Sequence, residues 1–155
     1  MTGVQTCALP IYNILLTNAW EYVEDKAINE VCISIKAITP EIFKDFIGKD
    51  NHKQVLENFR RYVNAPHIKV RAESIFIPGY IDMDEVEKIA KFIAEVDLNI
   101  PYRIDAYIPY SRNDRFRRPT KAEMEGAKQI SEKYLKNVSI LHYGTKVKYK
   151  VERVY

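Results

Sequence analysis

Short apolar runs rich in β-branched residues alternate with long amphipathic stretches from Asn13 onward, and no other feature constrains the fold so strongly. Strands buried on two faces need continuous apolar runs, and strands separated by helices pair in parallel. Residues 13–17 (NILLT) and 30–37 (EVCISIKA) are two such runs. Residues 67–77 predict a third strand, ended by the turn signal Pro78-Gly79; residues 102–108 predict a fourth and residues 138–142 a short fifth. From residues 30–37 onward the order reads β, α, β, α, β, α, β.

The helices carry their own punctuation. Thr39 can accept a backbone N–H at an N-cap, Pro40 suits the first helical position, Glu41 favours the positive end of the dipole, and Gly48 ends the segment. Residues 53–63 place Val55, Leu56, Phe59 and Tyr62 at amphipathic spacing. Asp82 and Glu85 form the pattern of a capping box ahead of a stripe of Val86, Ile89, Ala90, Ile93 and Val96. Thr120 and Glu123 repeat that pattern before a helix that runs to about Asn137, and residues 145–155 alternate Val147, Tyr149, Val151 and Arg153 as an edge strand would.

Composition narrows the function classes. A chain of 155 residues is the size of one domain, 46% hydrophobic and 29% charged residues are globular proportions, and no apolar run nears the roughly 18–20 residues that span a bilayer. A net charge of +3 without a recurrent basic and aromatic pattern argues against nucleic acid as a partner. Cys7 and Cys32 cannot build a disulfide framework or a thiol metal site, so a reducing cytoplasm is expected. His52, His67 and His142 lack metal-ligand spacing. Residues 1–11 (MTGVQTCALPI) back-translate, with a GTG start, to a common short-read library adapter. No basic n-region marks them as a secretory signal, so they are set aside as an expected artefact and residues 12–155 are read as the domain.

In parallel βα architectures functional groups gather at the C-terminal ends of strands. Four places qualify: Thr17-Asn18-Ala19, Ser34-Ile35-Lys36-Ala37, residues 71–80, and Ile108-Pro109-Tyr110 with the loop that follows. That loop (RNDRFRR) holds Arg112, Arg115, Arg117 and Arg118, a candidate clamp for a carboxylate-bearing or other anionic substrate, since arginine forks bind such groups bidentately.

Five pieces then fall in a recognisable order: Thr17-Asn18-Ala19, Ser34-Ile35-Lys36, Val55-Leu56-Glu57-Asn58, Arg71 through Pro78-Gly79-Tyr80, and Ile108-Pro109-Tyr110-Ser111. They resemble, in sequence, the TNG turn, DLK or DIK strand end, V-L-E-N segment, arginine strand running into PGY, and LPYH strand end of the radical S-adenosylmethionine (SAM) superfamily. The likeness is greatest to glycyl-radical-enzyme activases and related archaeal proteins. It implies the C-terminal half of a partial (β/α)6 TIM-like barrel with parallel strands. It further implies SAM and a [4Fe–4S] cluster as cofactors of the intact protein, reductive cleavage of SAM to a 5′-deoxyadenosyl radical, and a protein or peptide substrate. By the same resemblance Thr17, Asn18, Ser34, Lys36, Arg71 and Tyr110 are cofactor-binding candidates, with Lys36 suited to pair with the SAM carboxylate.

The departures are specific. Ser34 stands where the family has aspartate, Ser111 where it has histidine, and Arg71 lies two residues further from the Pro-Gly turn than the family's arginine. The cluster motif CxxxCxxC is absent, so this chain is expected to be inactive by itself. Two other readings stand beside this one: another βα-barrel metabolic enzyme with a phosphorylated substrate, although the five glycines are unclustered, and a non-enzymatic module that docks an acidic partner on residues 112–118.

Overall fold

The computed structural model describes residues 12–111 and 114–145. The elements are β1 (Asn13–Thr17), β2 (Ile28–Ser34), α1 (Pro40–Ile47), α2 (His52–Asn64), β3 (Lys69–Phe76), α3 (Met83–Asp97), β4 (Tyr102–Ala106), α4 (Lys121–Ser131) and β5 (Val138–Leu141). The five strands pair in chain order and every pair is parallel. Right-handed crossovers that always step the same way put every connecting helix on one side of the sheet. The result is a wall of a barrel: an α/β partial barrel of parallel strands, as the sequence leads one to expect.

Strand alternation divides the residues between the two faces. Val31, Ile33 and Ile35, Ala72 and Phe76, and Tyr102 and Ile104 point toward the helices and form one core with Phe43, Phe59, Tyr62, Val86, Ile89, Ile93 and Met124. The opposite face is polar. Glu30, Cys32 and Ser34 of β2 stand beside Arg71 and Glu73 of β3 and Arg103 and Asp105 of β4, with Ser34, Glu73, Arg103 and Ser139 in one register row.

Several boundaries differ from the sequence reading. No helix joins β1 to β2; residues 18–27 cross over in irregular structure. β2 ends at Ser34, although the Ile35 amide still donates to the Glu73 carbonyl at 2.8 Å. α4 stops at Ser131, whose hydroxyl turns back to the Ala127 carbonyl (2.8 Å), and the chain then tightens into turns and does not continue helically to Asn137.

Of the expected caps, Thr120 and Glu123 form a complete reciprocal box and Gly48 closes α1 at φ 77°. Thr39 and Asp82 make no side-chain cap of their own helices. Glu85 leaves the start of α3 to bind the segment before α1. The edge strand expected at residues 145–155 lies, beyond Thr145, outside the described residues, as do residues 1–11.

Candidate functional site

The C-terminal ends of β1 to β4 carry the candidate residues, and each end is held by its own device. At the end of β1 the Ala19 amide donates to Thr17 Oγ1 (3.0 Å) and the Trp20 amide to Asn18 Oδ1 (3.1 Å), which is turn chemistry at both side chains. Ala19 sits at φ 57°, the left-handed region that glycine of a TNG turn would adopt without cost. Asn58, buried in α2, holds this strained turn by donating to the Ala19 carbonyl at 2.9 Å and the Trp20 carbonyl at 3.3 Å. The first and third of the five sequence pieces are therefore mechanically one unit.

Past β2, Lys36 is half-buried and its ammonium donates to Ser34 Oγ at 2.6 Å. Burial lowers the Lys36 pKa, while the Glu73 and Asp105 carboxylates oppose that shift. Two of the three ammonium donors have no protein partner among the described residues. The loop that carries Lys36 is pinned from behind by Glu85, 1% exposed, which accepts from the Ile38 amide (2.5 Å), the Thr39 amide (2.7 Å) and the Thr39 hydroxyl (2.5 Å). Burial pushes the Glu85 carboxyl up, but the bonds from Thr39 and Ile38 and the Lys88 ammonium outweigh it, so its pKa lies below the ordinary 4.5.

The open face below the mouth is a charge ladder. Arg103 donates to Glu73 (2.7 Å) and to both oxygens of Asp105 (2.7 and 3.0 Å), and Cys32 Sγ reaches Glu73 at 3.4 Å. Burial, then Glu73, pushes the Cys32 thiol up to about 11. Arg71 lies opposite Cys32, further down the sheet than Ser34, and is paired with Glu30. The structure thus brings Ser34 and Lys36 together and leaves Arg71 apart from them. Glu73, two residues nearer the Pro-Gly turn than Arg71, is level with Ser34.

The loop after β4 is ordered by Asp114, which accepts from the Tyr107 hydroxyl (2.7 Å) and the Tyr110 and Phe116 amides (3.0 and 3.1 Å). Tyr110 itself is 98% exposed. The four arginines separate. Arg117 is bound by Glu123 (2.5 and 2.9 Å), Arg115 lies 3.8 Å from Asp45 and over the stacked rings of Tyr80 and Phe116, Arg118 stays exposed, and Arg112 lies outside the described residues. Sequence reasoning missed Asn58 as a brace, Glu85 as an anchor, and Glu73 and Asp105 as the carboxylates that hold Arg103. Long-range partners leave no local spacing to read.

No protein-family profile matches the chain. It is 35% identical over 135 residues, 83% of its length, to a Methanocaldococcus jannaschii protein provisionally named a glycyl-radical enzyme activating enzyme, and spans 51% of that relative. A GTP 3′,8-cyclase of Alkaliphilus metalliredigens is 27% identical over 100 residues, 64% of this chain and 31% of the cyclase. These relatives are radical SAM superfamily proteins, and the chain is homologous to them over the matched residues. The fold agrees: a domain of a pyruvate-formate lyase-activating enzyme from Bacteroides vulgatus superposes with a TM-score of 0.67 at 20% identity, over 84% of this chain and 81% of that one. The chain spans about half the length, or less, of the curated relatives it matches. Among the described residues no helix is long and apolar enough to cross a membrane.

Proposed function

We propose that residues 12–155 form the C-terminal part of a radical SAM barrel domain whose mouth orients SAM for the activation or modification of a protein or peptide substrate. The single observation that carries this reading is Lys36: a half-buried ammonium with unused donors, held by Ser34 at a parallel-strand end, in a chain homologous to radical SAM proteins. When bound beside a reduced [4Fe–4S] cluster, SAM itself supplies the radical chemistry, and the protein's share is position and exclusion of water. The Lys36 ammonium would pair with the SAM carboxylate, and the Ser34 hydroxyl would keep that ammonium at the mouth. Asn18, its carbonyl spent on the turn, retains its amide hydrogens to donate to a ribose or backbone oxygen. Thr17 shapes the same turn, exposed Tyr110 would flank the cofactor, and Arg71 would act through the charge of the open face.

The residues present do not fit the cluster. The sequence has no CxxxCxxC, and among the described residues no three His, Cys, Asp or Glu side chains are placed to hold a metal. The chain alone is expected not to cleave SAM after anaerobic reconstitution. A buried free Cys32 suits a reducing cytoplasm.

Equilibrium dialysis with SAM tests the reading. A charge-assisted contact to a carboxylate is worth roughly 1.5–3 kcal/mol, so Lys36→Met is expected to weaken binding by about tenfold or more. Equal affinity of the variant and the parent chain overturns the assignment of Lys36.

A further inference from the structure

A cavity of about 410 Å3 opens at the C-terminal ends of β4 and β5, beside the mouth and lined by none of the cofactor candidates. Ile108, Leu141 and Tyr143 give it apolar walls, while Arg118 and His142 give it polar ones. Arg118 is what sets it apart. Arg115 and Arg117 are engaged by Asp45 and Glu123, whereas the guanidinium of Arg118 makes no ion pair among the described residues and lies 5.3 Å from the centre of the Tyr143 ring.

The opposite wall is built to a fixed geometry. The Gly144 amide donates to His142 Nδ1 at 3.0 Å, the His142 amide donates to Thr145 Oγ1 at 3.0 Å, and the Thr145 amide returns to the His142 carbonyl at 2.9 Å. Because Nδ1 accepts, Nε2 carries the ring hydrogen in the neutral imidazole and is left to donate. A Cβ at residue 144 would stand 3.1 Å from His142 Cε1, so glycine there lets the amide reach the ring. Asp105 also borders the cavity, but both its oxygens are taken by Arg103, which offsets its charge toward an incoming anion.

We infer that this cavity is a specificity pocket for an acidic side chain next to an apolar one in the peptide substrate. The carboxylate would accept from Arg118 and the His142 Nε2–H, and the apolar neighbour would lie against Ile108, Leu141 and Tyr143. The inference rests on the reading that a protein or peptide is the substrate, and it deepens that reading by naming which residues of the substrate the mouth selects.

The test uses the full 155-residue chain and two capped dipeptides, acetyl-Phe-Asp-amide and its neutral isostere acetyl-Phe-Asn-amide, titrated while amide resonances are followed by NMR. The expected result is saturable shifts at residues 141–145, with the Asp peptide bound about tenfold more tightly than the Asn peptide. Arg118→Gln should abolish that preference, and Arg115→Gln should leave it intact. Absent or non-saturable shifts at residues 141–145, equal binding of the two peptides, or a preference that survives Arg118→Gln each overturn the inference. A parallel SAM titration keeps the two readings separable. Peptide binding without a SAM response removes the cofactor assignment and keeps the pocket, and the converse removes the pocket alone.

Discussion

Replacing Glu85 should unlatch the loop that carries Lys36, and the structure sets the size of the effect. Glu85→Ala removes the acceptor of two backbone amides and one hydroxyl, at 2.5–2.7 Å, from a side chain that is 1% exposed. Hydrogen bonds to a charged group are worth roughly 1.5–3 kcal/mol each, but Ile38 and Thr39 are only half-buried and can recruit water, so the sum is about 3 kcal/mol. The bond from half-exposed Lys88 adds little, at most about 1 kcal/mol. With a urea slope of roughly 1–3 kcal/mol/M, the unfolding midpoint should fall by about 1–3 M. Glu85→Gln keeps an acceptor for the amides and loses the charge, which predicts an intermediate loss of about 1–2 kcal/mol. The pH dependence carries the sign. The folded pKa of Glu85 lies below the unfolded 4.5, so its contribution is complete above pH 4.5 and is lost as pH falls through the folded value. The difference in stability between the parent chain and Glu85→Gln should therefore shrink in acid. A Glu85→Ala variant within about 0.5 kcal/mol of the parent, or a parent-to-Gln difference constant from pH 7 to pH 3, would refute the latch.

Two further outcomes follow from burial and exposure. With Cys7 replaced by serine, the Cys32 thiol, raised to about 11 by burial and by Glu73, should resist a thiol reagent at pH 8 in the folded chain and react at once in urea; rapid native labelling would contradict its placement. β1 pairs on one side only and shows Ile14 (46% exposed) and Leu16 (73% exposed), so the chain is expected to self-associate in light scattering and Leu16→Lys to reduce it; a monodisperse parent would count against β1 as an adhesive edge.

The fold was legible where its determinants are local. The β-branched runs located all five strands, Pro78-Gly79 located the end of β3 with Gly79 at φ 74°, and Thr120 with Glu123 located the start of α4 by a bond pattern contained within four residues. The same pattern misled at Asp82 and Glu85, because Glu85 has a better offer from Thr39 across 46 residues of sequence. The site divided in the same way. Lys36 and Ser34 are close in sequence and proved close in space, whereas the arginine loop could be read only as four equivalent cations. Its sorting into bound and free guanidinium groups depends on Asp45, Glu123 and Tyr143, which its own residues do not encode. The helix-free crossover from β1 to β2 was equally silent, since its anchor is Asn58 on another element.

That anchor has a consequence in time. Asn58 and Ala19 are 39 residues apart, so the bond between them closes a long loop, and the left-handed backbone at Ala19 gains its restraint only after α2 has docked. β1 is thus the strand expected to join the sheet last during folding and to open first by local unfolding. In native-state hydrogen exchange its amides should trade for deuterium well before those of β2 and β3, and uniform protection across the sheet would argue otherwise. A turn tied to a distant helix makes the first strand in the chain the last in the order of assembly.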